Sequence, residues 1–257
     1  MHSSRLLSYD QSSVENVCLS KKLNEIKFPQ RIPNSPYSVK NITPATPISM
    51  MMELKNWLKQ NLMKVQMRED ISQQTYNFIN LASEEERMQV ATLVNEILNS
   101  NLQQVIEALA EKEGRKGDKK AIDNMMHLYG RDARVLSFRI LDELLKKEQL
   151  TNKMAPLDFP KIMTREIFLK SLLVCAVETV FFICNVRMMQ VHDILTVINL
   201  SAFDYWRILN SFLKFDPQMP RVLTNHFREI EIRIVSEAAW QNGSPVVQII
   251  KELSKQA

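Results

Sequence analysis

Glycine is scarce in this chain. The 257 residues include only four, where average composition would give about 18: Gly114, Gly117, Gly130 and Gly243. Tight β-hairpins and the loops that wrap phosphate groups depend on the positive φ that glycine adopts freely. The scarcity therefore argues against a β-rich domain and against a nucleotide-binding α/β fold, and it predicts an all-α protein.

Motifs that build catalytic or metal sites are also missing. The sequence contains no HExxH, no CxxC, no G-x-S-x-G turn and no G-x-x-x-x-G-K-[ST] loop. Its four histidines do not stand at metal-ligand spacing from cysteines or acids: His2, His127, His192 and His226. We therefore predict a protein that is not an enzyme and that uses no metal and no cofactor.

Cysteine is rare and odd in number, with Cys18, Cys175 and Cys184. The first residues lack the apolar run of an export signal. On one predicted helix, Cys175 and Cys184 would lie about 13 Å apart along the axis, too far for a disulfide. We predict reduced thiols in a cytosolic or nuclear protein, with Cys175 as inert packing on the most apolar helix.

The longest apolar run is too short for a membrane span. Residues 168–184 carry Lys170 and Glu178 and fall short of the ~20 apolar residues that a bilayer requires. A helix that is apolar nearly all round is typical of the centre of a globular helical domain. The run therefore predicts a buried central helix.

The mildly basic charge permits a nucleic-acid partner without arguing for one. The net charge is +4, and nucleic-acid binders usually concentrate basic residues in one stripe. One local candidate is Gly114-Arg115-Lys116-Gly117, which has the G-x-x-G pattern of the backbone-clamping loop of KH domains. KH domains also need a three-stranded sheet, and no flanking segment alternates convincingly. Single-stranded nucleic-acid binding stays an alternative to a plain solvated turn.

Residues 1–45 are predicted to be a flexible leader, because they hold Ser, Asn and Pro with no sustained apolar period. Three Ser/Thr-Pro pairs stand at its end, beginning at Ser35, Thr43 and Thr46. Such pairs are common in linkers, and they are also the targets of proline-directed kinases. Both readings stay open.

Apolar spacing predicts helices through the rest of the chain. Ser83 and Glu86 form a capping box, and the helix that follows is expected to reach about Lys112 with a break near residues 99–101. Residues 111–120 and 151–160 are expected to be surface connections. Further helices are predicted over residues 48–62, 71–81, 132–147, from about 164, 191–200, 202–214, from 220, and over 244–253.

Four blocks of sequence, in order, resemble the A domain of the retinoblastoma family of pocket proteins. A Thr-Pro start at residues 46–58 agrees as well, although the similarity is specific only from residue 132 onward. The blocks are RILDELLKKE (139–148), IFLKSLLVCAVETV (167–180), ILTVINLSAFDYWRILNSFLK (194–214) and EIRIVSEAAW with SPVVQIIK (231–240 and 244–251).

The resemblance implies a cyclin-like helical domain with extra N-terminal helices over residues 46–257. It also implies a nuclear regulator that represses transcription and restrains the cell cycle. In this family the A domain pairs with a second domain, B, and the acidic activation tail of winged-helix transcription factors docks between them. Cyclin-dependent kinases modify the family, which makes Thr46 and Ser244 candidate phosphorylation sites beside Ser35 and Thr43.

The resemblance places four residues in the peptide-binding groove: Glu148, Arg207, Asn210 and Glu231. A cation there can pair with an acidic peptide, while carboxylates accept its backbone N–H groups. Several neighbouring positions depart from the family pattern, which leaves the choice of peptide open. Thr151 stands where an Arg is usual, with Lys153 nearby, Asn210 stands where an acid is usual, Asn225 where a Lys is usual, and Arg228 where an acid occurs.

No block resembling domain B is present before Ala257. We expect either that the sequence is a fragment or truncated, or that another chain supplies B. The family's cleft for L-x-C-x-E peptides lies in B, so that activity is not assigned. A cyclin-box protein that binds and activates a kinase is the second hypothesis, because it would share the fold.

Overall fold

The structure is a computed structural model that describes residues 46–68, 71–79, 83–151 and 159–240. The chain divides into two units, residues 1–50 and 51–257. The predicted boundary after residue 45 stays a prediction. Several predicted features lie outside the described residues: Cys18, Ser35, Thr43, Lys153, Ser244 and the helix over 244–253.

The predicted all-α class is confirmed. Within the described residues the only strands are two short ones, β1 (Met67–Arg68) and β2 (Ile71–Ser72), which pair antiparallel. The described helices are α1 (Pro47–Met63), α2 (Gln73–Ile79), α3 (Glu84–Lys112), α4 (Lys119–Met125), α5 (Arg131–Thr151), α6 (Phe159–Met163), α7 (Glu166–Ile183), α8 (Val191–Val197), α9 (Ala202–Leu213) and α10 (Arg221–Trp240), with a π-helix (Met126–Gly130) between α4 and α5.

Helix α7 is the centre of the domain, as its apolar sequence predicts. Every residue from Phe168 to Phe181 is buried apart from Lys170, and α7 packs against α3, α5, α6, α8, α9 and the π-helix. A helix surrounded on all sides by other helices buries apolar side chains around its whole circumference. This is the arrangement expected of a cyclin-like domain. None of the described helices has the length and apolar character that crossing a bilayer requires.

Helix α3 begins as its sequence predicts but does not break. The Ser83 hydroxyl accepts a hydrogen bond from the backbone N–H of Glu86, whose side chain accepts from the backbone N–H of Ser83. This reciprocal box satisfies two N–H groups at the helix start. The predicted interruption near residues 99–101 is wrong, because Asn101 is buried and its side-chain amide donates to the carbonyl of Ile97 within the helix, at 2.6 Å.

The predicted helix over 71–81 is wrong at its start, where β2 replaces the first turn. Buried Asp142 of α5 explains the difference: it accepts hydrogen bonds from the hydroxyls of Ser72, at 2.8 Å, and Thr75, at 2.6 Å. These bonds fix the segment against α5, and the Ser72 hydroxyl also accepts from the backbone N–H of Thr75. A side-chain cap of this kind starts α2 two residues later than the apolar pattern suggests.

Two helices begin within the last two residues of segments that the sequence predicts as connections. Asp118 caps α4 by accepting from the backbone N–H of Ala121, so the helix begins inside the predicted 111–120 connection. Helix α6 takes up the end of the predicted 151–160 connection, because buried Phe159 packs on Phe78 with ring centroids 5.0 Å apart. Helix α8 ends earlier than predicted because Asn199 adopts a left-handed φ of 51°.

Candidate functional site

Three elements carry the predicted groove residues. Arg207 and Asn210 lie on α9, Glu231 lies on α10, and Glu148 lies in the last turn of α5. Asn210 is exposed, and the other three are partly buried. Contacts between these three elements decide whether the four residues can share one groove.

Helix α9 has a buried face and an opposite face that carries charge. Its start is fixed by Ser201, whose hydroxyl accepts from the backbone N–H of Asp204 at 3.0 Å. Asp204 also lies 3.8 Å from the Arg207 guanidinium, within ion-pair distance but beyond the length of a hydrogen bond. The buried residues are Tyr205, Ile208, Leu209 and Phe212, whereas Arg207, Asn210 and Lys214 follow one another at i, i+3 and i+7 away from that face.

Aromatic packing joins α9 to α10 near both charged groove residues. Phe212 of α9 meets Phe227 of α10 edge to face, with centroids 4.6 Å apart, and stacks on Phe215 at 5.3 Å. Arg207 precedes Phe212 and Glu231 follows Phe227 by little more than one helical turn, about 6–8 Å along each axis. This aromatic packing therefore joins α9 to α10 at a point close to both Arg207 and Glu231.

The end of α5 meets the end of α9. The Lys147 ammonium donates to the backbone carbonyl of Lys214, the C-terminal cap of α9, and to that of Phe215 at 3.3 Å. Glu148 is the next residue along α5, and Asn210 lies one helical turn before Lys214. The structure thus brings the elements that bear Glu148 and Asn210 together, and sequence reasoning did not identify Lys147.

A buried polar network lies beside this junction. Asp216 accepts hydrogen bonds from the Trp57 indole N–H at 2.8 Å and from the Asn61 side-chain amide at 3.0 Å. Its other oxygen accepts from the backbone N–H of Gln218 at 3.0 Å. Asn61 in turn accepts from the Arg139 side chain of α5 at 3.3 Å. The network ties α1, α5 and the α9–α10 connection together, and Trp57 is buried within it.

Replacing Asp216 with asparagine is expected to destabilise the fold by about 1–2 kcal/mol at pH 7, because one amide oxygen cannot accept all three hydrogen bonds. Burial alone would raise the pKa of Asp216, but the hydrogen bonds from Gln218, Asn61 and Trp57 outweigh it and hold the pKa below its usual value. The contribution is therefore present above the unfolded pKa, about 4, and is lost as pH falls through the lower folded pKa.

Urea unfolding at pH 7 and at stepwise lower pH measures this difference. The gap between wild type and Asp216→Asn should shrink as the pH falls, while Asp123→Asn, a change at an exposed aspartate, should leave stability nearly unchanged at every pH. A gap that stays constant with pH would show that the Asp216 carboxylate charge does not contribute.

A second, partly buried cluster fastens α10 to the central helix. His226 lies 2.7 Å from Glu178 of α7 and stacks on Phe182 with ring centroids 4.0 Å apart. Burial raises the pKa values of Tyr205 and of the Cys175 thiol well above their ordinary values. Both groups therefore stay protonated in the interior, which agrees with Cys175 as inert packing. The cluster is structural support for the hairpin of α9 and α10.

The G-x-x-G segment is explained by the ends of two helices. Gly114 and Gly117 both have φ of +75°, and the Arg115 N–H returns to the Ala110 carbonyl at 2.8 Å, a Schellman end to α3. Asp118 then caps α4. In the part of the chain that the structure describes, the two two-residue strands do not supply the sheet of a KH domain. The nucleic-acid hypothesis therefore lacks the fold it requires.

Thr151, which stands where the family usually has an arginine, is the last residue of α5. Its hydroxyl donates to the carbonyl of Lys147 at 2.8 Å, so the side chain closes its own helix. Asn225 and Arg228 are exposed on α10. A threonine in this position supplies no cation, so the positive side chains of α5 and α9 near the junction include Lys146, Lys147, Arg207 and Lys214.

Comparison with known proteins identifies the relatives of this chain. The family described as retinoblastoma-associated protein A domain matches residues 46–250. Retinoblastoma-like protein A of Dictyostelium discoideum is 26% identical over 216 residues, which cover 82% of this chain and 16% of that protein. Retinoblastoma-related protein 1 of Nicotiana benthamiana is 24% identical over 230 residues, 88% of this chain and 22% of that protein. The chain thus spans less than a quarter of the length of these relatives.

Proposed function

Because the chain belongs to the retinoblastoma family and carries its A domain, we propose that it forms half of a pocket that binds the acidic activation tails of winged-helix transcription factors. The match over residues 46–250 carries this proposal. The pocket acts in the nucleus, represses transcription and restrains the cell cycle, without enzymatic activity of its own. The cyclin-box hypothesis shares the fold, but the matching family is the pocket A domain.

The chemistry of the groove suits an acidic peptide. Arg207 provides a cation that can pair with a carboxylate of the tail, and Lys146 and Lys214 add positive charge on the two neighbouring helices. Glu148 and Glu231 can accept the N–H groups of an extended peptide backbone. A tail with acids spaced along its length would therefore find cations and acceptors on the elements that meet at this junction.

A B-type domain is proposed as the second half of the pocket. Apolar side chains remain exposed on α9 and α10, namely Phe203 at 61%, Ile232 at 65% and Val235 at 47%. We expect these side chains to contribute to the surface that the partner domain covers. A second helical domain packed here would cover these side chains and form the other wall of the groove.

A reporter driven by a winged-helix transcription factor tests the proposal. Expression of this chain together with a B domain should lower reporter output, whereas a factor lacking its activation tail should be unaffected. Co-purification of an active kinase with this chain, without repression, would contradict the proposal and favour the cyclin-box hypothesis.

Phosphorylation of Thr46 is expected to strengthen the start of α1. Thr46 is exposed and immediately precedes Pro47, the first residue of α1. Its hydroxyl accepts a hydrogen bond from the backbone N–H of Ser49 at 3.2 Å. A phosphate there adds negative charge at a helix N-terminus, which contributes about 0.3–1 kcal/mol. Treatment with a cyclin-dependent kinase should therefore slow amide exchange over residues 48–53 a few-fold.

Thr46→Ala is the control, because it removes both the cap and the acceptor hydroxyl for phosphate. It should exchange faster than wild type and should not respond to the kinase. If the kinase adds no phosphate at Thr46, or if the phosphorylated chain exchanges faster, this prediction is wrong.

A further inference from the structure

The junction between α5 and α9 contains backbone carbonyls that a helix cannot satisfy by itself. The last carbonyls of a helix have no partner within the helix, and Lys214 and Phe215 stand at the end of α9. Lys147 donates to both carbonyls from a different helix. A lysine in this position supplies hydrogen bonds and places positive charge at the negative end of the helix dipole.

A second contact joins the same two parts of the fold. Asn61 accepts from Arg139 of α5 and donates to Asp216, two residues beyond the Lys214 carbonyl. Arg139 and Lys147 lie eight residues apart on α5, about 12 Å along its axis. Helix α5 is therefore linked to residues 214–216 directly through Lys147 near its end, and indirectly from Arg139 through Asn61 of α1. Two points of attachment fix the angle of a rigid helix, which a single contact cannot do.

The neighbouring lysine is bonded differently. The Lys146 ammonium lies 2.9 Å from Glu143, three residues earlier on α5, so its contact stays within one helix. Lys146 and Lys147 thus carry the same charge at nearly the same place, yet Lys147 alone of the two bonds to residues 214–215. Comparing the same substitution at Lys146 and at Lys147 therefore distinguishes an effect of charge from an effect of position.

We propose that Lys147 is a positioning residue of the groove. It fastens the last turn of α5, which presents Glu148, to the end of α9, which presents Asn210, and so sets the spacing of the side chains that this domain contributes to the groove for the acidic tail. The inference rests on the proposed function, because it concerns the same groove. The side chain of Lys147 is directed to protein carbonyls and acts through the residues that it holds in place.

Titration of a labelled acidic tail peptide into the full chain with a B domain tests the role of Lys147. Lys147→Met should weaken binding about tenfold, the loss expected for charge-assisted hydrogen bonds, and the loss should persist at high salt because it is geometric. Lys146→Met should weaken binding only about two- to threefold, and high salt should remove the difference. Lys147→Arg, which can still donate to both carbonyls, should bind within a few-fold of wild type.

Hydrogen exchange of the same variants gives a second readout. Lys147→Met should speed amide exchange at residues 148–151 and 211–216, and Lys146→Met should not. Equal losses for the two methionine variants, with the same salt dependence and unchanged exchange, would overturn the inference. If wild type and Lys147→Met bind the tail equally well, the role of Lys147 is wrong but the proposed function stands. If wild type binds no tail, both the proposed function and the role of Lys147 are wrong.

Discussion

Replacing Phe212 with alanine is expected to lower the free energy of unfolding by about 3–5 kcal/mol. Phe212 is fully buried and packs on Phe215 and Phe227, so alanine would leave a cavity between α9, α10 and their connection. Part of the loss comes from the apolar surface removed from the core, and part from aromatic contacts that alanine cannot make. Urea unfolding followed by circular dichroism measures the change.

Phe203→Ala provides the matched control for this prediction. Phe203 lies on the same helix but is 61% exposed, so its removal should change stability by less than about 0.5 kcal/mol. If the Phe212 variant unfolds at the same urea concentration as the Phe203 variant, the hairpin of α9 and α10 is not held by this aromatic cluster. The groove would then lack the support described above.

Changing Arg207 to glutamate is expected to weaken binding of an acidic tail about 30-fold or more, while leaving the fold intact. The substitution replaces a cation that can pair with the peptide by an anion that repels it. Arg207 is partly exposed, and a charge on a solvent-accessible helix face usually contributes less than about 1 kcal/mol to folding stability. The affinity is measured with the chain and a B domain together.

Arg115→Glu carries the same change of charge at an exposed turn between α3 and α4. It should reduce tail affinity only slightly, through long-range electrostatics that salt screens. If Arg207→Glu binds as tightly as Arg115→Glu, Arg207 is not a groove residue. Circular dichroism of both variants confirms that any loss of binding does not come from unfolding.

The parts of the fold that depend on local pattern could be predicted from the sequence. The apolar composition of α7 indicates a helix buried on all sides, and Ser83 with Glu86 marks the start of α3. The short α4 and the π-helix escaped prediction because segments of seven and five residues are too short to show an apolar period. The first turn predicted for α2 is replaced by a strand because Asp142, 70 residues away, draws Ser72 towards α5.

The groove could be predicted only in part, because contacts between residues far apart in the chain also assemble it. Spacing within α9 shows that Arg207 and Asn210 share the side away from the core, and the resemblance adds Glu148 and Glu231. The bonds that assemble these elements join residues far apart in the chain, such as Asn61 and Asp216, separated by 155 positions. No periodic pattern reports such pairs. The assignment of the four groove residues to peptide binding therefore stays a prediction.

Binding of a labelled acidic activation tail to this chain alone, to a B domain alone and to both together shows whether the tail site lies between two domains. We expect tight binding only when both domains are present, weakened by salt and by Arg207→Glu, because the groove needs a wall from each. Binding of equal strength to the chain alone would show that the site does not lie between two domains. A chain that is folded and paired with B but binds no tail would contradict the claim that it is half of a tail-binding pocket.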